Sequence, residues 1–332
     1  MTAPTIRTYS NPSCLICGTA GQVLHSGLKD RLFGAPGTWQ LKQCPKPDCG
    51  LVWPDPAPLT EDLGLAYQTY YTHVEPATGS AGLVYQVGKW VYWTGIRIPA
   101  LLTGIYQERR EFVQMFLRDR KPGRLFDAGC GDGQFLYLMK QHGWEGKGVD
   151  FDAAAIETGK KKYGVDLAVG DFQTVPIEES AFDAVTMSHV IEHVPDPVGC
   201  LDKCRRLLKP GGRLVVSTPN VRSLGHQTFK AAWRGLEPPR HLHIFPHHLL
   251  GECARRAGLK VIRTGSTAVN ADYIISATMA IANAPPGTSQ IGGGWDPRYA
   301  LKAIAFQYKE HFALKRNPDL GEEAYLIAER EK

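Results

Sequence analysis

The sequence has few cysteines for its length, no long apolar run and no strong excess of one charge. Eight cysteines in 332 residues are too few for a disulfide-based scaffold. The most apolar stretch, residues 81–106, is interrupted by Lys89, Arg97 and Pro99 and falls short of the ~18 uncharged residues of a membrane-spanning helix. Residues 1–9 lack the apolar core of a signal peptide. These absences predict a cytoplasmic protein, with peripheral contact at the inner membrane face as an open alternative.

The net charge of +5 is small for a chain of this length. Basic residues occur as short runs at helical positions with polar neighbours, such as Arg109-Arg110 and Lys160-Lys161-Lys162. Such runs are typical of solvated helix faces. A protein that follows a nucleic-acid backbone needs a denser basic stripe. Nucleic acid is therefore allowed as a partner but not favoured.

Two pairs of cysteines lie near the start of the chain. Cys14 and Cys17 are separated by two residues, and Cys44 and Cys49 by four. Two close pairs supply four thiolate ligands for a tetrahedral ion, which predicts a zinc ribbon or knuckle. Its Zn²⁺ would be structural, because four cysteine ligands leave no position open to a substrate. The wide spacing of the second pair leaves open whether all four bind; a metal-free remnant, a redox pair or a substitute ligand, His25, are the alternatives.

A glycine-rich turn joins an apolar strand to a helix-like segment in the middle of the chain. Its glycines are Gly129, Gly131 and Gly133, at the first, third and fifth positions of the turn. A dinucleotide site has glycine at the first, third and sixth positions, so the spacing weakens a nicotinamide interpretation. Asp127 and Asp132 flank the turn; they would repel a pyrophosphate and attract a ligand with ammonium and sulfonium charges. S-adenosylmethionine is a ligand of that kind.

The segments after the turn agree with this interpretation. A short strand ends at Asp150, about 20 residues after the turn, where a ribose-binding acid is expected. A helix, Ala153–Tyr163, and a third strand, Asp166–Val169, precede Asp171 and Phe172. These two residues offer an acceptor for the adenine amino group and a ring to stack or pack on it. Asp150 would accept both ribose hydroxyls.

A fourth strand, Phe182–His189, leads into the segment Val190–Pro197, and the segment Leu207–Gly212 precedes a fifth strand, Arg213–Thr218. In this order and spacing, residues 124–221 resemble the class I S-adenosylmethionine-dependent methyltransferases. They are most similar to the ubiquinone-biosynthesis-like branch, which contains O-methyltransferases, here with an N-terminal zinc-ribbon extension.

The resemblance implies a Rossmann-like α/β fold. Its seven-stranded, mostly parallel sheet has helices on both faces and an antiparallel last strand. The domains expected are a zinc-ribbon-like module at 1–54, a linker and helical cap at 55–120, and a methyltransferase domain at 121–332 with an insertion at 265–320. The cofactor is S-adenosyl-L-methionine, and its implied binding residues are Asp127, Gly129, Cys130, Gly131, Gly133, Asp150, Phe151, Asp171, Phe172, Ser188 and His189.

Three segments around this domain are candidates for the acceptor pocket. The prolines after the ribbon predict an extended, stiff linker over residues 51–73. The helical stretch 81–120 is core, pocket roof or membrane-facing surface; its apolar residues are Tyr85, Trp90, Tyr92, Trp93, Ile96, Leu101, Leu102, Ile105, Phe112, Met115 and Phe116. The insertion, with a loop at 284–295 and an amphipathic helix at Tyr299–Phe312, is a plausible lid.

Histidines cluster after the fourth and fifth strands, where a parallel sheet places its ligands. A hydroxyl acceptor must lose its proton, and histidine is the natural base. His241 is the first candidate, with His243 and His189 as the others. His241 and His243 share one face if their run is a strand. As an equal alternative, these side chains only cap a helix or donate to loop carbonyls. The spacing of these histidines in the sequence does not support a metal site. His193 is assigned a structural role.

The sequence therefore predicts methyl transfer to a hydroxyl of a small molecule, a sugar or a lipid-linked glycan intermediate, with a histidine as general base. A ribosomal-RNA base methyltransferase that uses the ribbon to bind RNA is the second hypothesis. The Asn-Pro-Pro-aromatic motif of base-amine methyltransferases is absent after the fourth strand, where Ser188-His189-Val190-Ile191 stands instead. A catalytically silent binding protein is the third hypothesis, and the intact turn and Asp150 speak against it.

Overall fold

The computed structural model describes residues 5–67, 100–285, 288 and 296–332. The N-terminal part contains five short strands, numbered β1 to β5: Thr8–Tyr9, Gln22–Leu28, Trp39–Gln43, Val52–Pro54 and Ala57–Pro58. Strands β2, β3 and β4 form an antiparallel sheet in that order, and β1 pairs with β5. A 3₁₀ helix, Thr60–Tyr67, follows. This small module carries all four cysteines of the predicted zinc site.

Seven further strands build the main sheet. They are β6 to β12: Arg124–Ala128, Glu145–Asp150, Asp166–Val169, Phe182–Ser188, Leu208–Pro219, Lys260–Thr267 and Glu323–Glu329. Their order across the sheet is β11-β12-β10-β9-β6-β7-β8. β12 runs antiparallel to both of its neighbours, whereas β10, β9, β6, β7 and β8 are parallel. The predicted seven-stranded sheet with an antiparallel last strand is confirmed.

Eight α-helices lie wholly within the described residues. Numbered α1 to α8, they are Ile105–Val113, Gln134–Gln141, Ala153–Tyr163, Pro197–Leu207, Leu224–Phe229, His247–Arg256, Ala271–Asn283 and Ala300–Leu314. Several begin where the sequence places a cap: the carboxylate of Asp152 accepts from the amides of Ala154 and Ala155 at the start of α3. None of the helices within the described residues has the length and apolar character needed to cross a membrane.

The N-terminal module shares its core with the main sheet. Leu51 and Trp53 are at most 1% exposed and lie in one cluster with Phe245 and Leu249. The backbones of Val52 and Ile244 exchange two hydrogen bonds, of 3.1 and 2.8 Å. Burial of these apolar side chains favours the docked arrangement. The ribbon therefore packs directly on the part of the chain that carries the candidate catalytic histidines.

Three expectations differ from the structure. The segment after Pro58 is not extended, since residues 60–67 form a 3₁₀ helix. The helical stretch predicted to reach residue 120 ends earlier: α1 stops at Val113, and Met115 and Phe116 take positive φ angles of 46° and 49°. In the insertion, the expected helix is α8, but α7 was not predicted. Residues 68–73 of the linker, the aromatic cap from Tyr85 to Ile96, and most of the loop 284–295 lie outside the described residues.

Candidate functional site

The glycine-rich turn lies between β6 and α2, at the carboxyl end of the sheet. Gly129, Gly131 and Gly133 have φ angles of 72°, 53° and 74°, which favour glycine. A Cβ on Gly129 would overlap Cγ2 of Val190, whereas a Cβ on Gly131 would meet nothing within 4 Å. The backbone is thus packed at the first glycine and open at the second. The open side is where a ligand can approach the turn.

Asp127 and Asp150 stand on either side of this turn. Asp127 is 5% exposed, and its Oδ1 accepts a 2.7 Å hydrogen bond from the Thr186 hydroxyl. Burial raises the pKa of Asp127 to about 7. Asp150 ends β7; its Oδ2 accepts from the amide of Gly131 at 2.8 Å and its Oδ1 from the amide of Asp152 at 2.9 Å. Asp150, the acid predicted to bind ribose, therefore also fixes the glycine turn. Burial raises the pKa of Asp150.

The aromatic ring exposed beside Asp150 is Phe151, which is 61% exposed. Phe172, predicted to stack or pack on adenine, is only 6% exposed and packs on Phe126 with ring centroids 6.0 Å apart. Asp171 is exposed, and its Oδ1 caps the amide of Gln173 at 2.9 Å. The structure thus places Phe151 where a ligand can reach it and Phe172 mainly in the core, behind the sheet edge. Cys130 is 7% exposed beside the turn.

His189 follows β9 in a left-handed conformation, with φ of 55°. Its Nε2 lies 2.6 Å from Glu323 Oε1, and its Nδ1 lies 3.3 Å from Glu192 Oε1. Burial lowers the pKa of His189, but the two carboxylates outweigh burial and raise it to about 10. A ring that keeps its proton at neutral pH cannot take another, which speaks against His189 as the base. The neighbouring Ser188 hydroxyl pairs with the Ser217 hydroxyl at 3.0 Å.

His241 and His243 do not lie on a strand, so the expectation of a shared strand face is wrong. His241 is 3% exposed, and its Nδ1 lies 2.8 Å from the carbonyl oxygen of Gly235. His243 is 5% exposed, and its Nε2 lies 3.3 Å from the carbonyl oxygen of Pro195. Burial lowers the pKa of each ring to about 4. Both rings are neutral at pH 7. Each ring makes a hydrogen bond with a loop carbonyl, as in the alternative in which these histidines only donate to such carbonyls.

His193, to which the sequence assigned a structural role, lies next to His241. Its Nδ1 is 2.9 Å from the carbonyl oxygen of Arg240 and 3.0 Å from the Tyr67 hydroxyl. Its ring centroid is 4.8 Å from that of His241, in an edge-on arrangement. The side-chain atoms of Glu192, His193 and His241 that could bind a metal ion lie within 4.8 Å of one another. No sequence signal pointed to Tyr67, which comes from the 3₁₀ helix of the N-terminal module.

Glu192 lies under these histidines and is fully buried. Its Oε2 accepts a 2.8 Å hydrogen bond from the Thr218 hydroxyl. Burial alone would raise the pKa of Glu192, but the neighbouring histidines, His189 first, outweigh burial and lower it to about 2. Glu192 is therefore an anion at neutral pH. Its charge stabilises a proton on any of the surrounding imidazoles.

The four N-terminal cysteines come together as expected of a tetrahedral site. The sulfur of Cys14 is 3.5 Å from that of Cys49, and the sulfur of Cys17 is 3.4 Å from that of Cys44; all four lie within 4.8 Å of one another. A Zn–S bond of ~2.3 Å gives S···S distances of this size. Cys49 lowers the pKa of the Cys14 thiol to about 5. His25 is not part of the group, since it pairs with His226 at 3.0 Å.

Comparison with known proteins agrees with the geometry. A family model described as "Methyltransferase domain" matches residues 104–264. The ubiquinone biosynthesis O-methyltransferase of Bordetella avium (strain 197N) is 32% identical over 168 residues, which is 46% of this chain and 68% of that protein. The chain belongs to the class I S-adenosylmethionine-dependent methyltransferases. The predicted likeness of this methyltransferase chain to the ubiquinone-biosynthesis branch is confirmed.

Other relatives match over a shorter length. The ubiquinone biosynthesis O-methyltransferase of Alkalilimnicola ehrlichii (strain ATCC BAA-1101 / DSM 17681 / MLHE-1) is 34% identical over 119 residues, which is 34% of this methyltransferase chain and 48% of that protein. The chain thus spans about half the length of several curated relatives. Among solved structures, geranyl diphosphate C-methyltransferase from Streptomyces coelicolor A3(2) aligns with a TM-score of 0.46 and 18% identity, covering 65% of this chain and 74% of that one. That likeness is too low to bear on substrate or partner.

Proposed function

We propose that the protein transfers a methyl group from S-adenosylmethionine to a hydroxyl group of a small molecule, a sugar or a lipid-linked glycan intermediate. The observation that carries the proposal is the carboxylate of Asp150, held by the amide of Gly131 at 2.8 Å beside the exposed ring of Phe151. Several relatives are named ubiquinone biosynthesis O-methyltransferases, and this favours oxygen as the acceptor atom.

The cofactor fits the residues present. Oxygens of Asp150 each have lone pairs beyond those used by the amides, so they can also accept from ribose hydroxyls. The open side of Gly131 admits a ligand to the turn, and Asp127 offers a carboxylate near a cationic group. Bound S-adenosylmethionine supplies a methyl group already activated for displacement. The chain's own task is to align the acceptor with that methyl group and to remove the acceptor's proton.

We assign the proton-accepting role to His193 ahead of His241, the first candidate from the sequence. A carbonyl oxygen only accepts, so Nδ1 of His193 carries the proton that faces Arg240, and Nε2 keeps a lone pair. His193 is half-buried, whereas His241 is 3% exposed. Once His193 has taken a proton, the Glu192 carboxylate stabilises the resulting cation.

The cysteine cluster is proposed to hold structural Zn²⁺. Four sulfurs within 4.8 Å of one another fit a closed tetrahedral site, and such a site has no open position for chemistry. We also propose that the chain divides as expected, into a zinc-ribbon module at 1–54, a linker and cap at 55–120, and a methyltransferase domain at 121–332 with a lid at 265–320. In the described residues, the lid contributes α7 and α8.

The test follows labelled methyl groups from S-adenosylmethionine into extracts of a host that lacks the gene. The extract is separated into RNA, polysaccharide, lipid and small-molecule fractions, and Asp150→Ala protein serves as the control. Label in the sugar, lipid or small-molecule fraction that disappears with the control supports the proposal. Label in ribonuclease-sensitive material would replace it by the RNA hypothesis. Absence of S-adenosylmethionine binding in calorimetry would leave a silent binding protein.

A further inference from the structure

Tyr67 belongs to the N-terminal module but lies at the proposed methyl-transfer site. It is the last residue of the 3₁₀ helix Thr60–Tyr67. Its ring is edge-on to Phe151, with centroids 5.2 Å apart and an interplanar angle of 72°. Its hydroxyl lies 3.0 Å from Nδ1 of His193. One side chain therefore touches both the cofactor side of the site, next to Asp150, and the side that carries the proposed base.

The hydrogen-bond chemistry at His193 defines what Tyr67 does there. Nδ1 of His193 lies 2.9 Å from the carbonyl oxygen of Arg240 and 3.0 Å from the Tyr67 oxygen. Because the carbonyl has no proton to give, the Nδ1 proton points toward it and is shared with the phenol oxygen. Two acceptors on the same nitrogen fix both the tautomer and the plane of the ring. Nε2 is left as the basic atom.

The position of Tyr67 is itself fixed by Arg240. Nη1 of Arg240 donates to the carbonyl oxygen of Ala66 at 2.8 Å and to Oδ2 of Asp30 at 2.9 Å, and Nε donates to Glu237 at 2.9 Å. Arg240 and Ala66 are fully buried. The guanidinium thus holds the residue before Tyr67, while the carbonyl of the same arginine orients His193. Charge-assisted hydrogen bonds of this kind are strong and geometrically specific.

We infer that Tyr67 is a positioning residue through which the N-terminal part of the chain, residues 5–67, completes the site. Its hydroxyl orients the imidazole of His193, and its ring supports Phe151 beside the cofactor's ribose position. The role of His193 in this inference rests on the proposed function. The contacts of the Tyr67 hydroxyl and ring can be tested independently of any acceptor.

Two substitutions separate the hydroxyl from the ring. Tyr67→Phe removes only the hydroxyl, and Tyr67→Leu removes the ring contact as well. Tyr9→Phe is the matched control, because Tyr9 lies in the same module, on β1, and is 50% exposed. Each full-length protein is checked for bound zinc and for its unfolding temperature. The probes are S-adenosylmethionine in calorimetry and histidine ring nitrogens and protons in NMR of ¹⁵N-histidine-labelled protein.

Tyr67→Phe is expected to shift the Nδ1 proton signal of His193 and to speed its exchange with water. Loss of one hydrogen bond corresponds to roughly a 2- to 10-fold effect. Once the labelling experiment has named the acceptor, this effect should appear in kcat and not in KM for S-adenosylmethionine. Tyr67→Leu should also weaken S-adenosylmethionine binding by roughly 2- to 10-fold, the range of one aromatic pair. Tyr9→Phe should match the wild type in every measurement.

An unchanged His193 signal in Tyr67→Phe would overturn the orienting role, and wild-type affinity in Tyr67→Leu would overturn the support of Phe151. Should Tyr67→Leu lose zinc or unfold, Tyr67→Phe still decides the first point, and Tyr67→Trp, which keeps an aromatic ring, decides the second. If the wild type does not bind S-adenosylmethionine, the proposed function fails, whereas the His193 signal still reports on Tyr67. The two failures are thereby distinguished.

Discussion

A buried pair of carboxyl groups, Glu310 on α8 and Glu322 just before β12, makes a prediction about stability and pH. Both residues are fully buried. The amide of Glu322 donates to Glu310 Oε1 at 2.7 Å, and Nε1 of Trp233 donates to Glu322 Oε2 at 2.6 Å. Burial raises the pKa of Glu322 to about 7, and burial together with the charge of Glu322 raises the pKa of Glu310. The folded protein therefore holds protons here that the unfolded chain releases.

The sign of the effect follows from the raised pKa values. Below pH 4.5, the ordinary value for Glu322, the side chain is protonated in both states and its contribution to stability is fully present. As pH rises through the folded value of about 7, the unfolded chain has already released the proton, so this contribution is lost. The difference between the two pKa values corresponds to roughly 3 kcal/mol of unfolding free energy. Glu310 acts in the same direction.

Glu310→Gln should remove the part of this dependence that belongs to Glu310. The glutamine keeps a carbonyl oxygen for the amide of Glu322 and an NH₂ group for its carboxylate, but it has no proton to release, whereas Glu322 keeps the raised pKa that burial gives it. We expect the variant to gain stability relative to the wild type between pH 5 and pH 8, by roughly 3 kcal/mol over that interval. At pH 5 the two proteins should be similar.

Urea unfolding at pH 5, 6, 7 and 8 measures this difference directly. Glu178→Gln is the control, because the Glu178 side chain is 68% exposed and pairs with Arg124 at the surface. The difference in unfolding free energy between the control and the wild type should be the same at all four pH values. If the stability of Glu310→Gln fell with pH as steeply as that of the wild type, Glu310 would not hold an extra proton in the folded protein and the reasoning would be refuted.

Three other substitutions test the cofactor and metal sites. Gly129→Ala places a Cβ against Val190 at a φ of 72°, so S-adenosylmethionine binding should be lost, with a cost of roughly 1 to 3 kcal/mol in urea unfolding; wild-type binding would contradict the packing at the turn. Asp150→Asn should weaken binding in calorimetry by at least roughly 10-fold, because charge-assisted bonds are lost; equal affinity would remove Asp150 from the site. Cys49→Ser should lose zinc in metal analysis and unfold at a lower temperature, whereas full zinc occupancy would exclude Cys49 as a ligand.

The main sheet could be predicted from sequence because its signals are local. The strands Glu145–Asp150 and Asp166–Val169 and the helix Ala153–Tyr163 have the bounds that the sequence indicated. Each is short and is bounded by glycine, by an acid at the strand end or by a cap, and these features act within a few residues. The order of the strands came from the family resemblance, since nothing local specifies it.

Side-chain directions at the site could not be predicted in this way. Phe172 follows the third parallel strand, β8, as an adenine-binding residue should, yet its ring packs on Phe126. The pKa of His189 is raised by Glu192 and also by Glu323, which lies far along the chain. Helix α7 was missed because nine of its residues are buried and it lacks a clear polar face. Spacing alone shows neither rotamers nor distant neighbours.

The N-terminal cysteines were predicted to belong to a zinc-ribbon-like module at 1–54, and Arg240 connects residues of the N-terminal part with the site. Residue 240 binds Asp30 and the carbonyl of Ala66, and through its own carbonyl it orients His193. Asp30→Asn would leave this fully buried guanidinium with one of its two carboxylate partners, and removing one partner of a buried ion pair costs roughly 3 to 5 kcal/mol. The N-terminal module therefore contributes two of the contacts that hold Arg240, and the carbonyl of Arg240 in turn contacts His193, the proposed base.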